Sequence, residues 1–393
     1  MAGALPVYFR AMDSDPDGLI ARARDLQPLV RAHADEAERD RTLPRVVVDA
    51  LGEAGLFRIC VARAHGGFEA DPVTTVKVIE AISEADGSTG WSLMIAVETL
   101  GLTSGYIGPW GAELFSDPAL TMAGALNPLG RASVVEGGYR VSGRWPYGSG
   151  CKHAKFWLGG SLLLDADGNS LHTSREMLIP AGQFEVLDTW SVGGLRGTGS
   201  HDVVVDNVFV PHEHTTAVLY ERPQRTETLF QYPVMPRLAY NKVGVSAGIA
   251  RAAINHFIEL AGAKTPMVSR TILRERASAQ ETVAKAEWLI EAGRAYLFQV
   301  ARETWATIAA GERLSMMQRA HLRLAASGAV SAAAKAVDLL YAAGGASVNY
   351  ASSPLERCFR DIHVVPAHVT VSAQMTEAAG RVLLGLEPGL AAF

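Results

Sequence analysis

Two histidines near the C-terminal end of the chain, His363 and His368, flank Pro366 in the stretch FRDIHVVPAHVT, residues 359–370. An imidazole takes or gives a proton near neutral pH, so either ring can serve as a general base or acid. Pro366 ends one helix or begins the next. If it begins the next, His368 lies in a helical first turn, where the helix dipole disfavours a positive charge and keeps the ring neutral. His363 follows Arg360 by about one turn, and that charge acts in the same direction. For each ring the competing assignment is a core histidine satisfied by a carbonyl.

A second candidate is SGRWPYGSG, residues 142–150. Pro146 has no N–H for a strand ladder, and Gly148 and Gly150 let the backbone approach a flat ligand closely. Ser149 can donate to a ring acceptor, while Trp145 and Tyr147 offer aromatic surface. An ordinary turn over a buried tryptophan would use the same residues. The glycines of SVGGLRGTGSHDVVV, residues 191–205, precede a strand, so they are no dinucleotide fingerprint, which follows a strand and opens a helix. Ser200, His201 and Asp202 are neighbours on a strand and point to alternate faces, so they form no triad. His212 and His214 are a metal pair without a third ligand nearby, the usual pattern of a solvated loop.

Three kinds of segment must position these residues. Up to about residue 119 the pattern is helical. Pro44 opens LPRVVVDALGEAGLF, Asp71 and Pro72 start VTTVKVIEAISEAD, and Ser88 starts STGWSLMIAVETLGLTSGYI, which is apolar nearly all round and reads as a central helix. From about residue 120 the period shortens toward two and glycines multiply, which predicts a compact β domain, a small barrel, over 120–225. From 226 to 393 long Ala-rich segments predict a four-helix bundle. The fold class is therefore α+β: N-terminal helices, central β-barrel, C-terminal bundle.

The 393 residues are 48% hydrophobic and 20% charged with net charge −5, the composition of a packed globular chain. The acidic balance gives no general attraction for nucleic acid or anionic lipid. No stretch reads as a membrane span, and the first 18 residues lack the basic and apolar regions of a secretory leader, so a cytoplasmic protein is expected. Cys60, Cys151 and Cys358 have no paired spacing, which argues against a disulfide framework or a zinc ribbon.

Taken together and in this order, these motifs resemble the acyl-CoA dehydrogenase superfamily over almost the whole chain. WPYGSG stands where that family has a flavin-contacting Trp-x-Thr-Asn-Gly turn. GGLRGTGSHDVVVDNVFVP is similar to its second β-domain signature, and GGASVNYASSPLERCFRDIH to its Gly-Gly turn and Arg-Asp helix. One departure matters. Many members carry a catalytic glutamate nine residues after the arginine of the Arg-Asp pair, and here that place is Val369. Others keep their base on the helix near residue 250, where VGVSAGIARAAINHF has no carboxylate. The histidine beside Val369, together with ADGSTGW and GRWPYGSGC, resembles instead the two-component flavin-dependent monooxygenases of the superfamily.

That resemblance implies a function. A separate NAD(P)H:flavin reductase supplies reduced flavin, O2 adds to give a C4a-hydroperoxyflavin, and a small aromatic or amine substrate is oxygenated. It implies His368, His363 and Ser149 as catalytic, with Ser149 near flavin N5. Flavin contacts fall to Trp145, Tyr147, Gly148, Ser149, Gly150, Thr198, Ser200, Arg270, Gly344 and Gly345. Trp91, Asn127 and His368 would meet substrate. Relatives with a further active-site histidine would carry it near Ala96 and Val97 or at Asn127, so the substrate is held differently here. The loop KTPMVSRTILRERASAQ has Arg270, Arg274 and Arg276 for phosphate but no Phe-Gly, which favours FMNH2 over FADH2. A homotetramer, no metal, no nucleic acid and no membrane complete the expectation. The alternatives are a dehydrogenase or oxidase with a displaced base and a catalytically silent flavin-binding protein.

Overall fold

A computed structural model of the protein describes residues 15–267, 269–390 and 393. The leader expectation for the first 18 residues rests largely on residues 1–14, outside the described residues. The chain divides into two compact units. One comprises the segment ending at Asp71, Trp91–Val192 and Arg196–Val234. The other comprises Pro72–Gly90, Gly193–Leu195 and Met235–Phe393.

The N-terminal helices are α1 (Pro16–Asp25), α2 (Gln27–Asp40), α3 (Arg45–Glu53), α4 (Pro72–Ala85), α5 (Gly87–Tyr106) and α6 (Gly111–Leu114). Prolines start several of them, because a first-turn residue needs no N–H. The Asp86 carboxylate accepts from both the amide and the hydroxyl of Thr89 at 2.7 Å and so caps α5. Helix α5 is buried almost all round, as a sequence apolar on nearly every side predicts.

The strands are β1 (Met122–Val135), β2 (Gly138–Gly148), β3 (Phe156–Leu164), β4 (Ser170–Pro180), β5 (Glu185–Leu187), β6 (His201–Pro211) and β7 (Thr215–Thr216). They form one sheet in the order β5-β6-β2-β1-β3-β4-β7, with β1 and β3 parallel and the other pairs antiparallel. β5 and β7 are two free edges, so the barrel expected from the sequence is an open sheet. Alternate residues such as Val203 and Val205 face a core that contains Trp145, Trp157 and Ile179.

Short α7 (Thr228–Gln231) is followed by α8 (Val234–Ala263), α9 (Ala277–Ala309), α10 (Met316–Gly344), α11 (Pro354–Ile362) and α12 (Ala373–Leu383). Ser315 and Gln318 form a capping box at the start of α10. Among the described residues α10 is the one helix long and apolar enough to cross a membrane. It packs against α9 and α12, with Ala320, Ala378, Ala379, Val382 and Phe393 forming a shared apolar cluster, which is the place of a core helix.

The region of Pro366 departs from expectation. Helix α11 ends at Ile362, Val365–Ala367 make a single 3-10 turn, and His368 is extended at φ −70°, ψ 132°. The next helix starts at Ala373, behind Ser372. His368 is the one extended residue here, because Val369–Val371 then turn back, the Val371 N–H donating to the His368 carbonyl at 3.0 Å. His368 therefore lies outside any helical first turn.

The turn Gly193–Leu195 is anchored on α11. The Arg360 guanidinium donates to the Gly193 carbonyl at 2.6 Å, and Leu195 N–H donates to the buried Asp361 carboxylate at 2.6 Å. A Cβ on Gly194 would collide with the Arg360 carbonyl oxygen. Gly194→Ala will therefore destabilise the protein by about 1–3 kcal/mol, seen as a lower urea midpoint. An unchanged midpoint would show that this turn yields freely.

Candidate active site

The turn after β2 grows out of a defect in the ladder. The β2–β6 register shifts between Trp145 and Gly148, where Pro146 cannot donate. Tyr147 takes φ +62° and Gly150 φ +76°. Gly148 must be glycine because a Cβ would lie 2.7 Å from the His201 carbonyl oxygen. Gly150 N–H donates to the Thr198 carbonyl at 3.0 Å, which ties the turn to the second glycine-rich loop. Gly199, at φ +53°, leaves no room for a Cβ against the Arg41 carbonyl.

These constraints bring three hydroxyls into line. Ser149 Oγ lies 2.7 Å from Ser200 Oγ, which lies 2.7 Å from Thr198 Oγ1. The Trp91 indole N–H donates to Ser149 Oγ at 3.0 Å. All four side chains are buried. The structure thus gathers Trp91, Ser149, Thr198 and Ser200 from segments far apart in the chain.

Other expected residues sit elsewhere. Trp145 is fully buried in the sheet core, with its N–H donated to the Gly160 carbonyl at 2.8 Å. Tyr147 is exposed and meets Trp190 edge-on. Asn127 is exposed in the irregular stretch of β1 between Ala125 and Gly130. His201 accepts at Nδ1 from the amides of Thr189 and Trp190, while Asp202 pairs with Arg144, so Ser200, His201 and Asp202 act separately. His212 meets the Tyr139 hydroxyl and His214 stacks on Trp110, and the described residues hold no cluster of metal-ligating side chains.

In the second unit His368 is the histidine with an unusual environment. Its Nδ1 accepts from the Thr370 amide at 3.3 Å and lies 2.9 Å from Thr370 Oγ1. An amide can only donate, so Nδ1 carries no proton and the neutral ring is protonated at Nε2. Burial, with the nearby positive charge of Lys242, pushes the imidazole down to about 3. The ring is neutral, as the sequence predicts, but desolvation and Lys242 are the cause rather than a helix dipole. The segment is held from behind by Arg323, fully buried, whose guanidinium donates to the Met235 carbonyl at 3.2 Å and the Thr370 carbonyl at 3.5 Å. Val369 is exposed.

His363 is exposed, with Nδ1 2.6 Å from the Phe359 carbonyl and Nε2 3.2 Å from Asp338. Gly344 and Gly345 form a turn that Lys264 secures, donating to the Gly344 carbonyl at 2.6 Å and to Ser347 at 2.7 Å. Arg270 is exposed in the loop between α8 and α9. Sequence reasoning passed over Lys242, Arg237 and Asn241, all buried on α8, and Arg323 on α10. Their signal was available: charged or amide side chains at helical spacing within Ala-rich helices.

Residues 22–113 match the acyl-CoA dehydrogenase N-terminal domain, and residues 242–373 the acyl-CoA dehydrogenase C-terminal domain. Indole-3-acetate monooxygenase of Pseudomonas putida is 32% identical over 91% of both chains. The chain belongs to the acyl-CoA dehydrogenase superfamily, in its flavin-dependent monooxygenase branch. The flavin-dependent monooxygenase oxygenase subunit HsaA of Rhodococcus jostii is 31% identical over 87% of this chain and 92% of its own. The solved structure of XiaF from Streptomyces, in complex with FADH2 and glycerol, superposes with a TM-score of 0.89 at 27% identity, covering 96% of this chain and 98% of that one. Within this superfamily the branch is distinguished here by chemistry: the dehydrogenase carboxylate is an exposed valine, and α8 buries no acid.

Proposed function

We propose that the protein is the oxygenase component of a two-component monooxygenase that inserts one oxygen atom into a small aromatic substrate. A separate NAD(P)H:flavin reductase provides the reduced flavin. The observation that carries this reading is a neutral, Nε2-protonated His368 beside Val369, where a dehydrogenase would place a carboxylate. A dehydrogenase needs a base for an α-proton, and this stretch offers a hydrogen-bond donor.

The residues suit a flavin. Ser149 ends a buried hydroxyl chain able to meet a ring nitrogen. Trp91, its N–H spent on Ser149, closes that position against water. Reduced flavin supplies the two electrons that activate O2, one atom entering the substrate and the other leaving as water. The protein's own part is to hold Ser149 ready for the ring and to carry at His368 an Nε2–H able to stabilise a developing negative charge on oxygen. FMN is the favoured flavin, because the sequence between α8 and α9 brings Arg270, Arg274 and Arg276 for phosphate but no Phe-Gly pair. A homotetramer is the proposed assembly.

The test combines the protein with a flavin reductase, NADH and FMN or FAD, and offers a panel of indoles and phenols. Hydroxylated product with less hydrogen peroxide than in the substrate-free control is expected. If all reducing equivalents end as peroxide while an acyl-CoA bleaches bound flavin anaerobically, the dehydrogenase reading replaces this one.

A further inference from the structure

The hydroxyl chain has a property beyond holding a ring. Thr198, Ser200 and Ser149 carry three hydroxyl protons but share only two internal hydrogen bonds, of 2.7 Å each. One proton must therefore leave the chain at an end. If donation runs Thr198 to Ser200 to Ser149, the Ser149 proton points outward. If it runs the other way, Ser149 gives its proton to Ser200, Ser200 gives its own to Thr198, the Thr198 proton leaves at the far end, and Ser149 turns a lone pair outward. The Trp91 N–H occupies one lone pair of Ser149 in both arrangements, so the oxygen cannot rotate away to find other partners. Ser149 and Ser200 are both buried, so an unpaired proton between them is costly.

We infer that this chain is a redox-matched positioning device: it reverses so that Ser149 accepts from a reduced flavin and donates to an oxidised one. Flavin chemistry requires such a change, since N5 bears a proton in the reduced ring and only a lone pair in the oxidised ring. A fixed donor would repel one of the two states. The inference rests on the flavin reading above and names Ser200 as the positioning residue that makes reversal available. Ser200 acts through Ser149.

Ser200→Ala separates the two states. With oxidised flavin, Ser149 still donates outward and still accepts from Trp91, so little is lost. With reduced flavin, Ser149 must accept both from Trp91 and from the ring, and its own proton is left buried without an acceptor. Anaerobic titration with FMN and FAD, in oxidised and in dithionite-reduced form, measures the four dissociation constants directly. The Kd for reduced flavin is expected to rise about tenfold or more, and that for oxidised flavin to stay within about twofold. Ser200→Thr restores the hydroxyl and should restore the reduced-flavin Kd. Ser200→Cys, close in shape with a weakly accepting sulfur, gives the same asymmetry in smaller measure and serves if the alanine variant is unstable. Equal changes in both states, or no change in either, overturn the inference while leaving the flavin reading intact. A wild-type protein that binds neither flavin in either state overturns both.

Discussion

His368→Ala is expected to lower product formation by about a hundredfold while leaving the Kd for reduced flavin unchanged. The lost electrons should reappear as hydrogen peroxide, because O2 is still activated but the oxygen is no longer stabilised during transfer. The tautomer makes the prediction sharper. With Nδ1 engaged by the Thr370 amide, the ring offers a proton at Nε2 and no lone pair. His368→Asn keeps a donor and has no useful basicity, so it should recover most of the loss. If the asparagine variant is as inactive as the alanine one, the ring works as a base and the donor assignment fails. With the ring held down to about 3, its ionisation should also leave the rate flat between about pH 6 and 8. A rate that titrates near the ordinary histidine value would show that bound ligands undo the desolvation.

Much of this was legible in the sequence because it depends on local pattern. The change from helical period to strand period near residue 120 places β1 at Met122, and Pro44, Pro72 and Ser88 mark helix starts, Ser88 one residue inside α5. Sheet closure is not a local property: whether β5 and β7 meet depends on the summed twist and stagger of seven strands. The site divides along the same line. Glycine spacing pointed to the turn holding Ser149, but the alignment of Thr198, Ser200 and Trp91 with it arises from a register shift at Pro146. Trp145 was read as ligand surface and is sheet core, because residue type cannot distinguish the two faces at a bulge. His368 was expected neutral on a helix start. It is neutral through contact with buried surface and Lys242, which only the folded chain brings near.

Acid should destabilise the protein well above the range in which its surface carboxylates titrate. His65 and His153 are both pushed down to about 4 and His368 to about 3, from an ordinary 6.5. Burial is the main cause for all three, with the charges of Arg225 and Arg58 adding at His65, Arg45 at His153 and Lys242 at His368. His65 shows the arrangement most clearly. Its ring stacks on Phe115, and its Nε2 lies 2.9 Å from the Arg225 guanidinium, which can only donate, so protonation there would break the contact. The sign follows from linkage. These rings have depressed folded values, so the stability is whole above about pH 6.5 and is lost as pH falls toward 4 and 3, because the unfolded chain takes up protons that the folded chain refuses. At about 1.4 kcal/mol per pH unit per ring below the unfolded value, three rings remove roughly 6 kcal/mol between pH 6.5 and 5. Glu80 and Glu176, raised by burial, act in the opposite sense and soften the fall. Urea midpoints measured at half-unit steps from pH 7.5 to 4.5 should therefore drop steadily from about 6.5 downward. His65→Gln, which can still accept from Arg225, should reduce that slope by about a third. A midpoint independent of pH down to 5 would mean that these rings are hydrated in solution and titrate as ordinary histidines.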